Sequence, residues 1–481
     1  MFGCIYSGHY ELARLIIERA LGLIYLLGFA VALNQFLALV GENGLLPVPR
    51  YLKLRGMMET PSIFHWHYSD RFFRWVAWSG IILSALTVSG LLDGAPIWLY
   101  MIIWFLMWTL YLSIVNVGQT FYGFGWESLL LEAGFYCMFL GPLDMATPVL
   151  VIWIIRWLVF RVEFGAGLIK MRGDRCWRNL TCMNYHHETQ PLPNPLSWYF
   201  HRMPQQMHKT ETFFNHVVQL GIVWGLFAPQ PVASIAAACI ILSQLYLIVS
   251  GNYAWLNWMT LLLAFSGFSD GVVTSLLPVS APAVYPIPEA YYIVVILFTA
   301  VIIYMSIQPA KNMISRYQMM NFSFNPFHLV NTYGAFGSVT RKRYEIILEG
   351  TTDSQLDENT EWKAYEFRAK PGDPKRRPPQ MAPYHIRLDW QMWFAAMTSW
   401  HSHPWFLRLV SKLLQNDKAT IDLLKSNPFP DEPPRYIQAR LFHYRYTTRH
   451  EHKQTGDWWK PMYVKEYLRP TALEDLRNFE L

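Results

Sequence analysis

The sequence predicts a polytopic α-helical membrane domain followed by a soluble C-terminal α+β domain with a β-sheet core. Two observations predict the first part: 53% of the 481 residues are hydrophobic while only 15% are charged, and the apolar residues collect in long runs. A third observation predicts the α+β domain, because the later sequence changes to the period-two alternation of apolar and polar residues that is typical of β-strands. We place the multi-span domain at 1–310 and the α+β domain at 325–481.

The membrane domain is predicted to have about nine spans, since a bilayer core of about 30 Å needs roughly 20 apolar helical residues. The fourth run carries Glu127 and Glu132, so a tilted or re-entrant helix beside a polar cavity is the alternative there. The nine runs lie near 20–40, 75–92, 97–116, 126–141, 149–169, 213–228, 232–250, 253–269 and 290–308.

The odd number of spans decides which loops lie on the same side of the membrane as the tail. Nine spans place the loop 41–74, the loop 170–212 and the tail on one side, together with most of the basic residues. The positive-inside rule assigns that side to the cytoplasm, but the rule weakens for long loops that fold as domains. The net charge of +6 is spread without a dense basic block, so the expected partner is the lipid bilayer and not nucleic acid.

The tail combines strand and helix patterns. "KRYEIILEG" and "WKAYEFRAK" alternate like strands, and "PRYIQARLFHYRYTT" predicts a long strand. "WFLRLVSKLL" and "KATIDLLK" are typical of short amphipathic helices, and "TGDWWKPMYVKEYL" is predicted to form a terminal cover.

The fifth predicted span is unusual because it is charged. Arg156, Glu163 and Lys170 are spaced seven apart and share one helical face, whereas Arg161 points elsewhere. A charge near the bilayer centre costs on the order of 3 kcal/mol on insertion scales, so such charges persist where partners or water offset the cost. We predict an ion network centred on Glu163, which is either a structural ladder or a site for a ligand or client.

The fourth predicted span would complete this network. Glu127 and Glu132 are five apart, on different faces of a helix, and therefore are not an acid/base pair. One of them is predicted to join Glu163 with Arg156 and Lys170.

A histidine-rich stretch before the second predicted span, "HWHYSDRFFRW", contains His65, His67 and Asp70. If it is extended, both histidines share a face and would meet the loop 170–212; the alternative is a helix-capping or interface cluster. The full candidate functional cluster is Arg156, Arg161, Glu163, Lys170, Glu127, Glu132, His65, His67, Asp70, His186, His187 and Trp126.

The loop 170–212 contains Cys176, Cys182, His186 and His187 within a dozen positions. Two thiolates and two imidazoles could bind zinc, but the spacing C-x5-C is wider than that of the usual zinc finger. A catalytic dithiol is disfavoured because it would need the spacing C-x-x-C. A short-loop disulfide and buried free thiols remain, and we predict the disulfide, with no metal site. The Pro-rich end of this loop predicts a rigid lid over the membrane domain, an interfacial aromatic belt, or both.

Four segments are distinctive in combination: "NVGQTFYGFGWESLLLEAGF" (116–135), "GLIKMRGDRCWRNLTCMNYHHETQPLPNPLSWYFHRMP" (167–204), "GNYAWLNWMTLLLA" (251–264) and "YRYTTRHEHKQTGDWWK" (444–460). Together they resemble the lipase maturation factor family. The resemblance implies a multi-span protein that helps a client polypeptide, a secreted homodimeric lipase in the eukaryotic family members, to reach its active state. It also implies the endoplasmic reticulum membrane with a lumenal C-terminal domain.

The opening "LALVGENGLLPVPRYL" resembles bacterial relatives, for which the inner membrane and an extracytoplasmic tail are implied. A distant similarity to the membrane domain of vitamin K-dependent carboxylase keeps a second hypothesis open: an integral membrane enzyme acting on a lipid-soluble or peptide substrate, with Lys170 or a histidine as general base. No cofactor is expected. A protein-filled interior around Glu163 favours the maturation factor, and a lipid-accessible cavity holding Lys170 and His186 favours the enzyme.

Overall fold

The computed structural model describes residues 9–478. Five helices in this range are long and apolar enough to cross a membrane, and a bent helix pair, Leu256–Gly267 with Asp270–Leu276, would make a sixth candidate span. The five are Glu11–Val40, Asp70–Ser89, Ile97–Val117, Val232–Ser250 and Glu289–Ile314. The N-terminal region is therefore helical and of membrane type with five or six candidate spans, and the count of nine is not confirmed.

The other predicted spans take different forms. Run 126–141 is the buried helix Gly125–Cys137, whose 13 residues extend only about 20 Å. Run 213–228 is broken, because the helix Gln205–His216 continues as a π-helical turn, Val217–Gly221, and a 3₁₀ segment, Ile222–Phe227. Run 149–169 is the 24-residue helix Val149–Arg172, which is long enough to span but charged. We call it the charged helix.

The lid segment, defined as residues 170–212, consists mainly of short helices. Glu289–Ile314 is itself two helices, and further short helices occur before the lid and in the tail. The bounds of these shorter helices are Val48–Leu54, Arg175–Arg178, Met183–Thr189, Ser197–His201, Leu256–Ala264, Glu289–Met305, Ile307–Ile314, Arg387–Ala395, Pro404–Leu414, Lys418–Ile421 and Arg449–Thr455.

The tail is built on a small antiparallel sheet of four strands, numbered in chain order: β1 is Arg343–Thr351, β2 Lys363–Ala364, β3 Tyr436–Tyr446 and β4 Trp459–Thr471. Their order across the sheet is β2-β1-β3-β4. Strand β3 is the predicted long strand, β2 retains only two residues of "WKAYEFRAK", and the predicted terminal cover is an edge strand, β4.

The tail is docked on the helical region through side-chain to backbone hydrogen bonds. Gln35 donates from Nε2 to the carbonyl of His385 (2.8 Å) and accepts from the amide of Arg387 (3.0 Å). Asn252 donates to the carbonyl of Pro379 (2.9 Å), and Trp198 of the lid donates from Nε1 to the carbonyl of Thr447 (3.0 Å). These contacts hold the middle of the tail, and the residue that follows β3, against the helical region and the lid.

Candidate functional site

Glu132 forms a buried ion pair with Arg161 of the charged helix. Its carboxylate also accepts from the Tyr136 hydroxyl (2.5 Å), the Tyr333 hydroxyl (2.8 Å) and the backbone amide of Asn331 (2.9 Å). Arg161 in turn donates to the carbonyl of Asn331 (2.7 Å). Both oxygens of the Glu132 carboxylate are therefore engaged, and the pair fixes the segment that leads into the tail.

Glu127 forms a second buried pair, with Arg387 of the tail (Nη1 to Oε1, 2.7 Å). The Tyr111 hydroxyl donates to its other oxygen (2.6 Å). Trp126 donates from Nε1 to Nδ1 of His385 (3.3 Å) beside this pair. Burial and the adjacent Arg387 together lower the pKa of His385 to about 4, so this imidazole is neutral.

The predicted network around Glu163 was therefore wrong in two of its four members, Arg156 and the one carboxylate expected from the helix Gly125–Cys137. Glu127 and Glu132 have arginine partners of their own, and Arg156 donates to the backbone carbonyls of Ser266 (2.8 Å) and Leu226 (3.2 Å). The seven-residue spacing brings Arg156 to the Glu163 face, but its guanidinium donates instead to buried carbonyls in two 3₁₀ segments, Ile222–Phe227 and Phe265–Gly267.

Glu163 is held by amides. Gln219 donates from Nε2 to Glu163 Oε2 (3.0 Å), and Gln244 donates to Oε1. Lys170 donates to the Oε1 atom of the same Gln219 (3.0 Å) and to Oδ1 of Asn215 (2.7 Å). Gln219 therefore bridges the carboxylate and the ammonium, which the sequence analysis had placed on one face.

A cavity of about 880 Å³ lies over this polar group. Its charged and polar walls include Glu163, Lys170, His186 and Glu211, and most of the remaining wall is aromatic or aliphatic. Side chains come from the charged helix, the lid segment and the tail, the aromatic ones being Phe124, Trp126, Trp177, Phe200, Phe214, Tyr246, Tyr253, Tyr333, Phe336, Trp390, Trp393 and Phe394. An apolar chamber with a few convergent polar groups is the usual form of a ligand site.

The lid segment closes one wall of the cavity. Cys176 and Cys182 are joined in a disulfide with their Cα atoms 4.8 Å apart, so neither thiol is available to a metal. Nε2 of His186 lies 2.8 Å from the Tyr253 hydroxyl. Burial, with smaller effects of His187 and Lys170, lowers the pKa of His186 to about 3, so the ring is neutral.

His187 belongs to a different group, which the sequence analysis missed. Candidate ligand atoms of His187, His208 and Glu211 all lie within 4.8 Å of one another. Burial raises the pKa of Glu211, but hydrogen bonds from both histidines outweigh it and bring the pKa to about 2. The spacing His-x-x-Glu on one helix was the available signal, since residues three apart share a face.

The stretch around His65, His67 and Asp70 does not contribute to the cavity. Nε2 of His65 lies 3.0 Å from the carbonyl of Thr60, and the carboxylate of Asp70 accepts from the amide of Glu42 (2.9 Å). Of the two alternatives for this stretch, the extended form that would bring both histidines to the lid is not formed, because the stretch folds into a 3₁₀ turn and the start of the helix Asp70–Ser89. The helix-capping alternative fits these contacts.

Comparison with known proteins identifies the family. A family model described as "Lipase maturation factor transmembrane domain" matches residues 12–275, and one described as "Lipase maturation factor C-terminal domain" matches residues 329–469. Lipase maturation factor 1 from Mus musculus is 39% identical over 99% of this chain and 90% of its own length. The chain belongs to the lipase maturation factor family. The protein is accordingly an integral membrane protein.

Other family members are similar over the same extent. Lipase maturation factor 1 from Homo sapiens is 38% identical over 99% of this chain and 90% of its own length. Lipase maturation factor 2 from Xenopus laevis is 27% identical over 97% of this chain and 83% of its own length. No solved structure matches the chain. The lid, both buried ion pairs and the residues that line the cavity, apart from Met320 and Asn321, lie within the two family-matched regions.

Proposed function

We propose that this protein is a membrane-embedded maturation factor whose clients are secreted lipases. The observation that carries the proposal is the 39% identity to lipase maturation factor 1 across nearly the whole chain, membrane domain and tail together. A likeness confined to the helices would leave the tail free for another role; here the buried pair between Glu127 and Arg387 makes the two regions one unit.

We propose that the tail and the lid act on the client from outside the cytoplasm. Support comes from the disulfide in the lid, which persists in oxidising compartments. In a eukaryotic host the membrane would be that of the endoplasmic reticulum and in a bacterium the inner membrane. Nine spans would place the tail and the lid on the same side, and this count adds the charged helix, the buried helix Gly125–Cys137 and the broken run 213–228 to the six candidate spans.

A membrane enzyme is the weaker candidate. The cavity does hold both Lys170 and His186, which the sequence analysis named as favouring this alternative. The ammonium of Lys170 is engaged by Asn215 and Gln219, however, and Nε2 of His186 by Tyr253. These contacts hold the two side chains in place and favour a binding chamber over a general base.

The experiment is complementation. The chain is expressed in cells from which lipase maturation factor 1 has been removed, together with a secreted homodimeric lipase, and lipase activity and lipase mass in the medium are both measured. We expect the activity per unit mass to rise well above that of cells carrying the empty vector. Normal levels of this protein in the membrane with no rise in lipase activity would refute lipases as its clients.

A further inference from the structure

Two imidazoles of the lid converge on a single carboxylate oxygen. Nε2 of His187 lies 3.3 Å from Oε1 of Glu211, and Nδ1 of His208 lies 2.7 Å from the same atom. His187 comes from the helix Met183–Thr189, whereas the other two come from one face of Gln205–His216. Three potential ligands from two helices therefore face one point.

This donor set suits zinc. Zn²⁺ binds histidine nitrogen at about 2.0–2.1 Å and carboxylate oxygen at about 2.0–2.2 Å, so two ligands of a tetrahedral ion lie about 3.3 Å apart. The contact between His187 and Glu211 already has that separation. The contact between His208 and Glu211 would need to open by only about half an ångström to reach it.

The surroundings of Glu211 are those of a supported ligand. The Tyr246 hydroxyl donates to Oε2 and fixes the plane of the carboxylate, so Oε1, the oxygen on which the two imidazoles converge, is the one that would bind an ion. The His187 ring is stacked on Phe200 with centroids 5.4 Å apart, and His187 and His208 are buried. Rings and carboxylate are thus held in place before any ion arrives.

We propose that His187, His208 and Glu211 bind one Zn²⁺ ion whose fourth coordination position is open to the cavity. Glu211 and Tyr246 both line that cavity, so water or a polar group of a cavity ligand reaches the ion from there. Two histidines and one glutamate with an open position is a donor set that zinc uses in proteins. The ion ties the two lid helices together at the cavity wall.

The alternative is a hydrogen-bonded cluster without metal, and two variants separate the alternatives. In His187→Gln and His208→Asn the new amide nitrogen lies near the position of the lost ring nitrogen and can still donate to Glu211, but amides are poor zinc ligands. His216→Gln is the matched control. His216 lies on the same helix as His208 and is bonded to the carbonyl of Trp177 (3.0 Å), away from the cluster.

The full chain is purified in detergent without a polyhistidine tag, stripped with a chelator and titrated with Zn²⁺ alone against a chromophoric competitor. We expect one bound ion per wild-type chain, and the same affinity for His216→Gln. His187→Gln and His208→Asn should bind more than about 100-fold more weakly, since changes to outer-shell partners alone cost 10- to 100-fold. Wild-type affinity in both variants would overturn the proposal.

A second measurement uses only the wild-type protein, so it tests the zinc site even if the variants do not fold. The stripped wild-type protein is loaded with Co²⁺, whose visible absorption reports the geometry and donor atoms of the site. We expect the intense bands of a four-coordinate nitrogen and oxygen site, lost on adding excess Zn²⁺. Wild-type protein that binds neither ion stoichiometrically refutes the zinc site, and the cluster is then held by hydrogen bonds alone.

Discussion

The buried carboxylates of the helix Gly125–Cys137 and of the charged helix are stabilised in different ways. Glu127 and Glu132 each face an arginine at ion-pair distance, whereas Glu163 is held by the amides of Gln219 and Gln244. A buried ion pair is rigid, because removing either partner leaves a charge without compensation. Amides can exchange a carboxylate for another acceptor at lower cost, and these amides lie at the cavity. The pairs therefore fix the architecture, and the amide-held group is the part able to respond to a ligand.

The largest expected effect comes from breaking a pair. Arg387→Ala leaves Glu127 buried and unpaired, which typically costs about 3–5 kcal/mol. We expect a strong loss of folded protein in the membrane and of thermal stability. The control is Lys460→Ala, whose pair with Glu451 is accessible to solvent on both sides and leaves Glu451 paired with Arg445, so little change in stability is expected there.

The double variant Glu127→Leu/Arg387→Met sharpens this test. Replacing both partners by apolar residues removes the uncompensated charge and is often neutral. We expect it to recover much of the stability that Arg387→Ala loses. Equal abundance of Arg387→Ala and wild type would show that the pair does not hold the tail.

A smaller effect is expected at the lid. Cys176→Ser removes a disulfide that closes a short loop, which by loop-closure entropy costs about 2–3 kcal/mol. Thermal unfolding of the variant and thiol labelling of the wild type with and without reductant measure this. Full labelling of both cysteines before reduction would contradict the disulfide.

Glu163→Gln should cost still less stability, about 1–2 kcal/mol, because its one neutral oxygen accepts from one amide, and the other hydrogen bond is kept only if that amide turns its oxygen toward the new NH₂ group. We expect protein level to be nearly normal while secreted lipase activity falls. Glu289→Gln, at the start of the helix Glu289–Met305 and outside the cavity, is the control. A variant with wild-type output would show that the carboxylate does not serve the client.

The smallest effect is expected on mild acidification. His385 has its pKa lowered to about 4 in the folded protein, below the ordinary value of 6.5, so the unfolded chain binds more protons between those values. The contribution of the neutral His385 imidazole to the free energy of unfolding is complete above pH 6.5 and is lost as the pH falls toward 4. Going from pH 7 to pH 5.5 should cost about 1 kcal/mol through this group. Thermal unfolding of the wild type and of His385→Gln at both pH values tests this, and an equal acid sensitivity of the two would contradict it.

Much of the fold was predictable from local pattern. Long apolar runs are found as helices where they are free of charge, as in Val232–Ser250, and alternation located β1 and β3. The run 213–228 failed because apolarity does not report a break in helical hydrogen bonding. The number of membrane crossings depends on what surrounds each helix, which composition does not encode.

The candidate site was only partly predictable for a related reason. Periodicity placed Glu163 and Lys170 on one face, but the partners that decide their role are Gln219 and Gln244, from other helices. Arg387 lies far along the chain from Glu127, and no spacing rule joins them. Partner choice among buried charges is a tertiary property.

The pair between Glu127 and Arg387 also sets the timing of the protein's own folding. The two residues are 260 positions apart. At typical synthesis rates the carboxylate therefore enters the membrane roughly 10–50 s before its arginine leaves the ribosome. During that interval Glu127 has to stay hydrated or neutral, so docking of the tail is a late step of biogenesis, and chains truncated before residue 387 should be recognised by the cell as unfinished.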